Sequence, residues 1–282
     1  MTDTTNDAQR EYWSGRSARG WITYEAEQDA VLAPVAEAVL ARAGLLPGER
    51  VLDIGCGTGA LSVSAARVVG ARGHVLACDI SEPFLARAAE RLAAHPHAVT
   101  LAADAATVDW PEPGFDAAIS RFGVMFFADP PAAFANISRA LLPGGRIVFA
   151  AWASAARNPF WSLPARISAE RLGHPPKTPP DTPGPMGLAD LDLAVERLRA
   201  GGLQQVTGEE IEVTLTHPEG AGGLAALLAR VGPASRTLNH FNADEGDRRA
   251  VTEAITEAFG AWESPAGLAL PARINLLTAV RD

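Results

Sequence analysis

Between residues 28 and 43 the apolar side chains Leu32, Val35, Val39 and Leu40, with Ala36 and Ala43, recur at helical spacing, and Gly44 and Pro47-Gly48 close the segment. The period then changes. Short apolar runs alternate with amphipathic stretches, and the first four runs end at a glycine, a serine or an acid. The runs predict strands at Arg50–Ile54, His74–Cys78, Ala98–Ala103, Phe115–Ser120 and Arg146–Trp152. The stretches between them predict helices. One runs from the Gly55–Gly59 turn to about Val69, where Gly70-Ala-Arg-Gly73 breaks it. One runs from Ser81, a cap with Pro83 in the first turn, to about Ala94. One runs from Asp129-Pro130 to Leu142, stopped by Pro143-Gly144-Gly145. Strands alternating with helices specify a parallel, doubly wound sheet.

Beyond Trp152 the alternation lapses. Residues 153–188 hold Asn158-Pro-Phe-Trp161 and then Pro175, Pro176, Pro179, Pro180, Pro183 and Pro185, which predicts a long extended loop. A helix resumes over Ala189–Ala200, ended by Gly201-Gly202. A strand follows at Gln205–Thr216, with alternation at Val206, Ile211, Val213 and Leu215. Residues 222–262 read as helices and Ile274–Val280 as a final strand. The organisation is an N-terminal lid segment, 1–27, then one domain, 28–282, with insertions at about 153–188 and 222–265.

Composition narrows the class. A chain of 282 residues with 48% hydrophobic side chains buries a full core. Its net charge of −9 and its lack of a basic stripe disfavour a nucleic-acid partner. The start of the chain has no apolar signal core, and no uncharged run approaches the roughly 18 residues of a membrane helix, so the expectation is a cytoplasmic protein without a membrane span, monomer or homodimer. The two cysteines, Cys56 and Cys78, fall at strand ends and read as small, buried and reduced, and no metal cluster is expected.

The candidate chemistry lies in residues 51–59, Val-Leu-Asp-Ile-Gly-Cys-Gly-Thr-Gly, and in Asp79, twenty residues after Gly59. A buried strand enters a glycine-rich turn that opens a helix, and an acid sits at the tip of the neighbouring strand. Such a site suits a ligand with a ribose, held by backbone N–H groups and by a carboxylate that accepts from sugar hydroxyls. Gly55, Gly57 and Ala60 satisfy the G-x-G-x-x-G/A pattern of dinucleotide folds, so the glycines alone leave NAD open. Asp53 argues the other way. At the mouth of the turn it would repel a pyrophosphate and attract the ammonium of a methionine moiety.

The stretch Leu52-Asp-Ile-Gly-Cys-Gly-Thr-Gly-Ala-Leu61 resembles the first motif of class I S-adenosylmethionine methyltransferases. Phe115-Asp-Ala-Ala-Ile-Ser120 resembles the fourth strand of that fold, and Leu141-Leu-Pro-Gly-Gly-Arg-Ile147 the turn before its fifth. The resemblance spans roughly residues 30–152, extends weakly to 189–216 and 272–282, and is nearest to the ubiquinone/menaquinone type. It implies an α/β, doubly wound, mostly parallel seven-stranded sheet with an antiparallel last strand. It also implies S-adenosyl-L-methionine as cofactor and S-adenosyl-L-homocysteine as product. By this resemblance Asp53 holds the methionine ammonium, and Gly55, Cys56 and Gly57 give the close backbone approach. Asp79 takes the ribose hydroxyls and Ile80 lies on the adenine face. Asp104, followed by Ala105, receives the adenine amino group or else caps a helix. Arg121 follows strand four, where the family's backbone carbonyl meets the ammonium. Its side chain pairs with an acid, reaches a substrate carboxylate or seals the strand end.

A sulfonium carries its own activation, so the protein mainly aligns a nucleophile and no acid–base pair is obligatory. Of the six histidines, His74, His95 and His97 sit at the wrong edge of the sheet and His217 reads as solvated, which leaves His174 and His240 as weak candidates for a base. Aromatic residues gather at the predicted carboxyl edge: Trp13 and Trp21 in the lid segment, Phe122 and Phe126 after strand four, Trp152 and Trp161 after strand five. They suggest an apolar pocket for a small, apolar or aromatic acceptor, methylated on oxygen or carbon. Two alternatives remain: an NAD(P)-binding oxidoreductase, which the single lysine Lys177 and two N-terminal tyrosines serve poorly, and a cofactor-binding protein without turnover.

Overall fold

The computed structural model describes residues 6–176 and 182–282. The apolar runs of the first half become parallel strands β1 (Arg50–Ile54), β2 (His74–Asp79), β3 (Ala98–Ala102), β4 (Phe115–Arg121) and β5 (Leu141–Trp152). The second half adds β6 (Gln204–Leu215), a small separate hairpin of β7 (Glu263–Ser264) and β8 (Gly267–Leu268), and β9 (Leu270–Val280). The order across the seven-stranded sheet is β3-β2-β1-β4-β5-β9-β6, with β9 antiparallel to both neighbours. The mostly parallel sheet with an antiparallel last strand is the expected architecture. Its central strands are buried on both faces, which is why β1 and β2 read as unbroken apolar runs, whereas the edge strand β6 alternates.

Helices α1 (Asp7–Ser14), α2 (Arg16–Thr23) and α3 (Glu25–Ala43) precede the sheet. Right-handed crossovers place α4 (Ala60–Val69) and α5 (Glu82–Leu92) on one face and α6 (Pro130–Ala140) on the other, because β1 to β3 build outward one way and β4 to β5 the opposite way. The strand order therefore reverses between β1 and β4, and the crevice at their carboxyl ends is where such sheets bind ligands.

Three local expectations need correction. The helix before β5 ends at Ala140, and the strand starts at Leu141 rather than Arg146. Leu141 already pairs with Phe115, and a register shift between Phe115 and Ala117 absorbs Pro143-Gly144-Gly145 as an irregularity within the pairing. The stretch 153–188 is not one extended loop: α7 (Pro159–Leu172) begins inside it. Pro159 occupies the first turn, where its missing N–H costs nothing, and the helix carries Pro164 in its interior. Lys177, Pro179 and Pro180, like residues 1–5, lie outside the described residues. His217 is buried, not solvated: Nδ1 accepts from the Glu219 N–H at 3.0 Å, Nε2 lies 3.5 Å from Glu27, and Gly223 leaves room for the ring.

After α8 (Leu191–Ala200) come α9 (Gly220–Val231), α10 (Pro233–His240) and α11 (Glu245–Phe259), and these three pack with α7 into a helical cap. Two segments far apart in sequence thus build one body, and α9 turns toward α2 and α3 over the crevice. Cys56 and Cys78 are both free and buried. Among the described residues no helix is long and apolar enough to cross a membrane, and no cluster of side chains is arranged to hold a metal ion.

Candidate cofactor and acceptor site

The turn after β1 depends on backbone shape. Gly55 has φ +64°, and a Cβ there would lie 2.6 Å from Cα of Gly123. A Cβ on Gly123 would in turn meet the Ile54 carbonyl at 2.5 Å. The β1 turn and the turn after β4 therefore interlock through two glycines, tied by Ser120, whose Oγ donates to the Ile54 carbonyl at 2.6 Å and accepts from the Gly123 N–H at 3.1 Å. Gly57, at φ +56°, faces open space, so its backbone is bare toward the cavity.

The N–H groups of this turn are not offered outward as expected. Cys56 N–H donates to the Cys78 carbonyl at 3.1 Å, Gly57 N–H to Asp79 Oδ2 at 2.8 Å and Gly59 N–H to the Cys56 carbonyl at 2.9 Å. Asp79 also accepts from the Ser81 N–H at 2.9 Å, so its carboxylate is locked in place at the end of β2. Burial pushes its pKa up, against the pull of the backbone N–H groups of Ser81 and Gly57. Asp53 is 1% exposed and accepts from Ser62 Oγ at 2.5 Å. Burial raises its carboxyl to about 7, with Ser62 and Arg121 holding it down and Asp79 pushing it up. A pyrophosphate on this turn would find these three donors already committed and two carboxyl groups beside it.

Asp104 Oδ1 accepts from the Ala106 N–H and from Asn6 Nδ2, both at 2.9 Å, so it caps the turn after β3 and also anchors the N-terminal segment. Asn6 Oδ1 accepts from the Ala128 N–H at 2.9 Å. Arg121 takes the first of its three expected roles: it pairs with Asp29 at 3.3 Å. Asp29 pairs with Arg91 at 2.7 Å, Arg91 reaches Glu25 at 3.7 Å and Thr58 Oγ1 at 3.1 Å, and Glu25 also pairs with Arg87. This ladder neutralises both α3 carboxylates that face the cavity.

Many of these groups border one cavity of about 230 Å³ at the carboxyl edge of the sheet. Asp53, Gly55, Cys56, Gly57, Asp79 and Ile80 line one part of it, with Asp104, Ala105 and Arg121. Every aromatic candidate, Trp13, Trp21, Phe122, Phe126, Trp152 and Trp161, lines it as well. Phe122 holds a left-handed backbone, φ +68°, a rare conformation for a bulky residue, and its ring stacks on Trp152 at 4.4 Å. The two histidine candidates lie away from the cavity. His174 and His240 are exposed and line no part of the cavity, and the His240 ring packs edge-on against Phe241.

Several contributors escaped the sequence reading. Gly123 and Ser62 act on residues far away or on the next turn and lie outside the quoted motifs, and Ser120 lies in one that gave its side chain no role. Asn6 showed no signal at all. Leu227, Leu228 and Val231 bring α9 to the cavity wall, which only the folded cap reveals.

Comparison with known proteins agrees with this geometry. Residues 51–145 match the family described as a methyltransferase domain. The chain is 36% identical over 103 residues to a 2-phytyl-1,4-naphtoquinone methyltransferase of Synechococcus elongatus, covering 36% of this chain and 44% of that one. It is 31% identical over 172 residues to a malonyl-[acyl-carrier protein] O-methyltransferase of Serratia marcescens, covering 61% and 64%. The first of these matches thus spans less than half of the relative. A solved phosphoethanolamine N-methyltransferase 2 of Haemonchus contortus, in complex with S-adenosyl-L-methionine, shares the fold with a TM-score of 0.59 at 18% identity, over 96% of this chain and 59% of that one. Residues 51–145 thus match a methyltransferase domain, and the chain is similar to methyltransferases of the ubiquinone and menaquinone kind.

Proposed function

We propose that the protein transfers a methyl group from S-adenosyl-L-methionine to a small, largely apolar, aromatic acceptor, on oxygen or carbon. The observation that carries the reading is the pairing of Asp79, locked by the Gly57 and Ser81 N–H groups, with the bare face of Gly57 in one crevice. That pairing suits a ribose, and the buried Asp53 beside it suits an ammonium better than a phosphate. When bound, the cofactor supplies an electrophilic methyl on a sulfonium. Asp53 would hold the methionine end, Asp79 the ribose hydroxyls, and Ile80, Asp104 and Ala105 the adenine.

The rest of the work falls to this chain's own residues. No histidine lines the cavity among the described residues, and Glu25 and Asp29 are held in ion pairs. The site therefore favours an acceptor that ionises readily by itself, such as a phenol or an enol. The aromatic wall and the cap position that acceptor and exclude water, an effect worth up to about 7–11 kcal/mol for ideal alignment. We take α1 and α2 as the lid over this site.

Calorimetric titration with S-adenosyl-L-methionine, S-adenosyl-L-homocysteine and NADH tests the reading, on the wild type and on Asp79→Ala. Micromolar binding of the first two, weakened at least tenfold in the variant, is expected. Binding of NADH alone would replace it with a dinucleotide oxidoreductase. Binding of the adenosyl ligands with no methyl transfer to any phenolic acceptor would leave a binding protein.

A further inference from the structure

The aromatic wall of the cavity is built in a definite order. Phe122 and Trp152 stack at 4.4 Å with their planes 10° apart, and Trp152 and Phe160 stack at 5.2 Å and 15°. Trp161 stands edge-on to both Trp152 and Phe160, at 80° and 72°. Its indole nitrogen is buried and has no hydrogen-bond partner among the described residues. Elsewhere the fold does satisfy a buried indole: Trp110 Nε1 donates to the Asn136 carbonyl at 2.9 Å. An orphaned buried donor costs free energy, and it is tolerated where a ligand completes it. Trp161 lines the cavity.

We infer that Trp161 is a specificity-determining residue, whose indole N–H donates to an oxygen of a planar aromatic acceptor seated against the Phe122–Trp152–Phe160 wall. The inference rests on reading this cavity as the acceptor pocket, and it names the acceptor chemistry: a flat ring system with a carbonyl, ether or hydroxyl oxygen. An acceptor ring lying parallel to these stacked rings has its plane set by them, and the N–H sets which edge of it faces inward. A donor at that oxygen also favours its anionic form, which matters in a cavity that holds no histidine to act as base.

Equilibrium dialysis without any cofactor tests this, with naphthalene, 1-naphthol and 1-methoxynaphthalene as probes. 1-Naphthol is the least hydrophobic of the three and 1-methoxynaphthalene about matches naphthalene, so a purely apolar pocket favours neither oxygenated probe over naphthalene. Wild-type protein is expected to bind both oxygenated probes more tightly than naphthalene, and Trp161→Phe to lose about five-fold in affinity for them while naphthalene changes less than two-fold. Equal loss for all three probes, or wild-type affinity no higher for the oxygenated pair, would overturn the inference. Should the variant fail to fold, the wild type still decides. The methoxy oxygen accepts and cannot donate, so a preference for 1-naphthol alone would assign the contact to an acceptor group and remove Trp161. Because no cofactor is present, failure here leaves the adenosyl titration intact, and failure of that titration leaves the oxygen preference readable.

Discussion

Asp53 shows how much one side chain of the site depends on its surroundings. Its carboxyl is raised from an ordinary 3.8 to about 7, chiefly by burial. A carboxyl raised in this way takes up a proton on folding between those values. Its contribution to stability is full below about pH 3.8 and is lost as pH climbs through about 7. The melting temperature of the ligand-free wild type should therefore fall between about pH 5 and pH 7 relative to Asp53→Asn. If Asp53 holds the ammonium it must be ionised, so S-adenosyl-L-homocysteine affinity should rise roughly tenfold from pH 6 to pH 8 as the ionised fraction grows. Calorimetry at three pH values checks this, and a flat wild-type profile would remove Asp53 from that role. Asp53 and Asp79 were legible in the sequence because Asp53 sits at the mouth of the glycine turn and Asp79 ends the next apolar run. Gly123 was not, because the atom that excludes a side chain there belongs to Ile54, across the sheet.

At the scale of elements, α1 and α2 are two eight-residue helices that would be marginal in isolation. They hold because they are latched to the cofactor half of the cavity. Ser81 Oγ donates to the Trp13 carbonyl at 2.8 Å, Asn6 reaches Asp104 and Ala128, and the Trp13 ring packs on Phe126 and Phe84 at 5.3 Å and 5.9 Å. Trp21 meets Trp13 edge-on at 5.9 Å, on α2, which packs toward α9. Trp21→Ala should therefore lower kcat/KM for the acceptor about tenfold while cofactor affinity changes less than twofold. Steady-state kinetics beside calorimetry checks this, and equal weakening of both ligands would end the lid reading. The aromatic cluster of residues 12–24 was visible in the sequence, but its helices were not, because eight residues give too few turns for a period to show. The prolines hid α7 in a different way: a proline in the first turn of a helix reads on paper like one in a loop.

At the scale of the whole molecule, the sheet is closed by β9, the last strand in sequence, inserted between β5 and β6. Asn158, fully buried, joins three parts of that arrangement. Its Nδ2 donates to the carbonyls of Ala153 at 3.3 Å, Ser154 at 3.1 Å and Arg273 at 3.1 Å, and its Oδ1 accepts from the Arg273 N–H at 2.8 Å. The end of β5, the start of α7 and β9 thus share one side chain. Asn158→Ala would leave several buried backbone groups unpaired and should cost about 2–3 kcal/mol in denaturant unfolding. A loss under about 0.5 kcal/mol would mean that the junction does not depend on this residue.

By itself the sequence determined the features carried by neighbours along the chain: the strand periods, the glycine turn and the acids at the strand tips. From these followed the parallel sheet and the placing of the glycine turn beside Asp79. Tertiary structure alone decided the rest. It set the interlocked Gly55 and Gly123, the burial that raises Asp53, the exposure of His174 and His240, and the cap made of α7 with α9 to α11. It also left the Trp161 N–H without a partner. Each of these depends on contacts between segments tens of residues apart, which local pattern does not encode and which packing and strand register alone bring together.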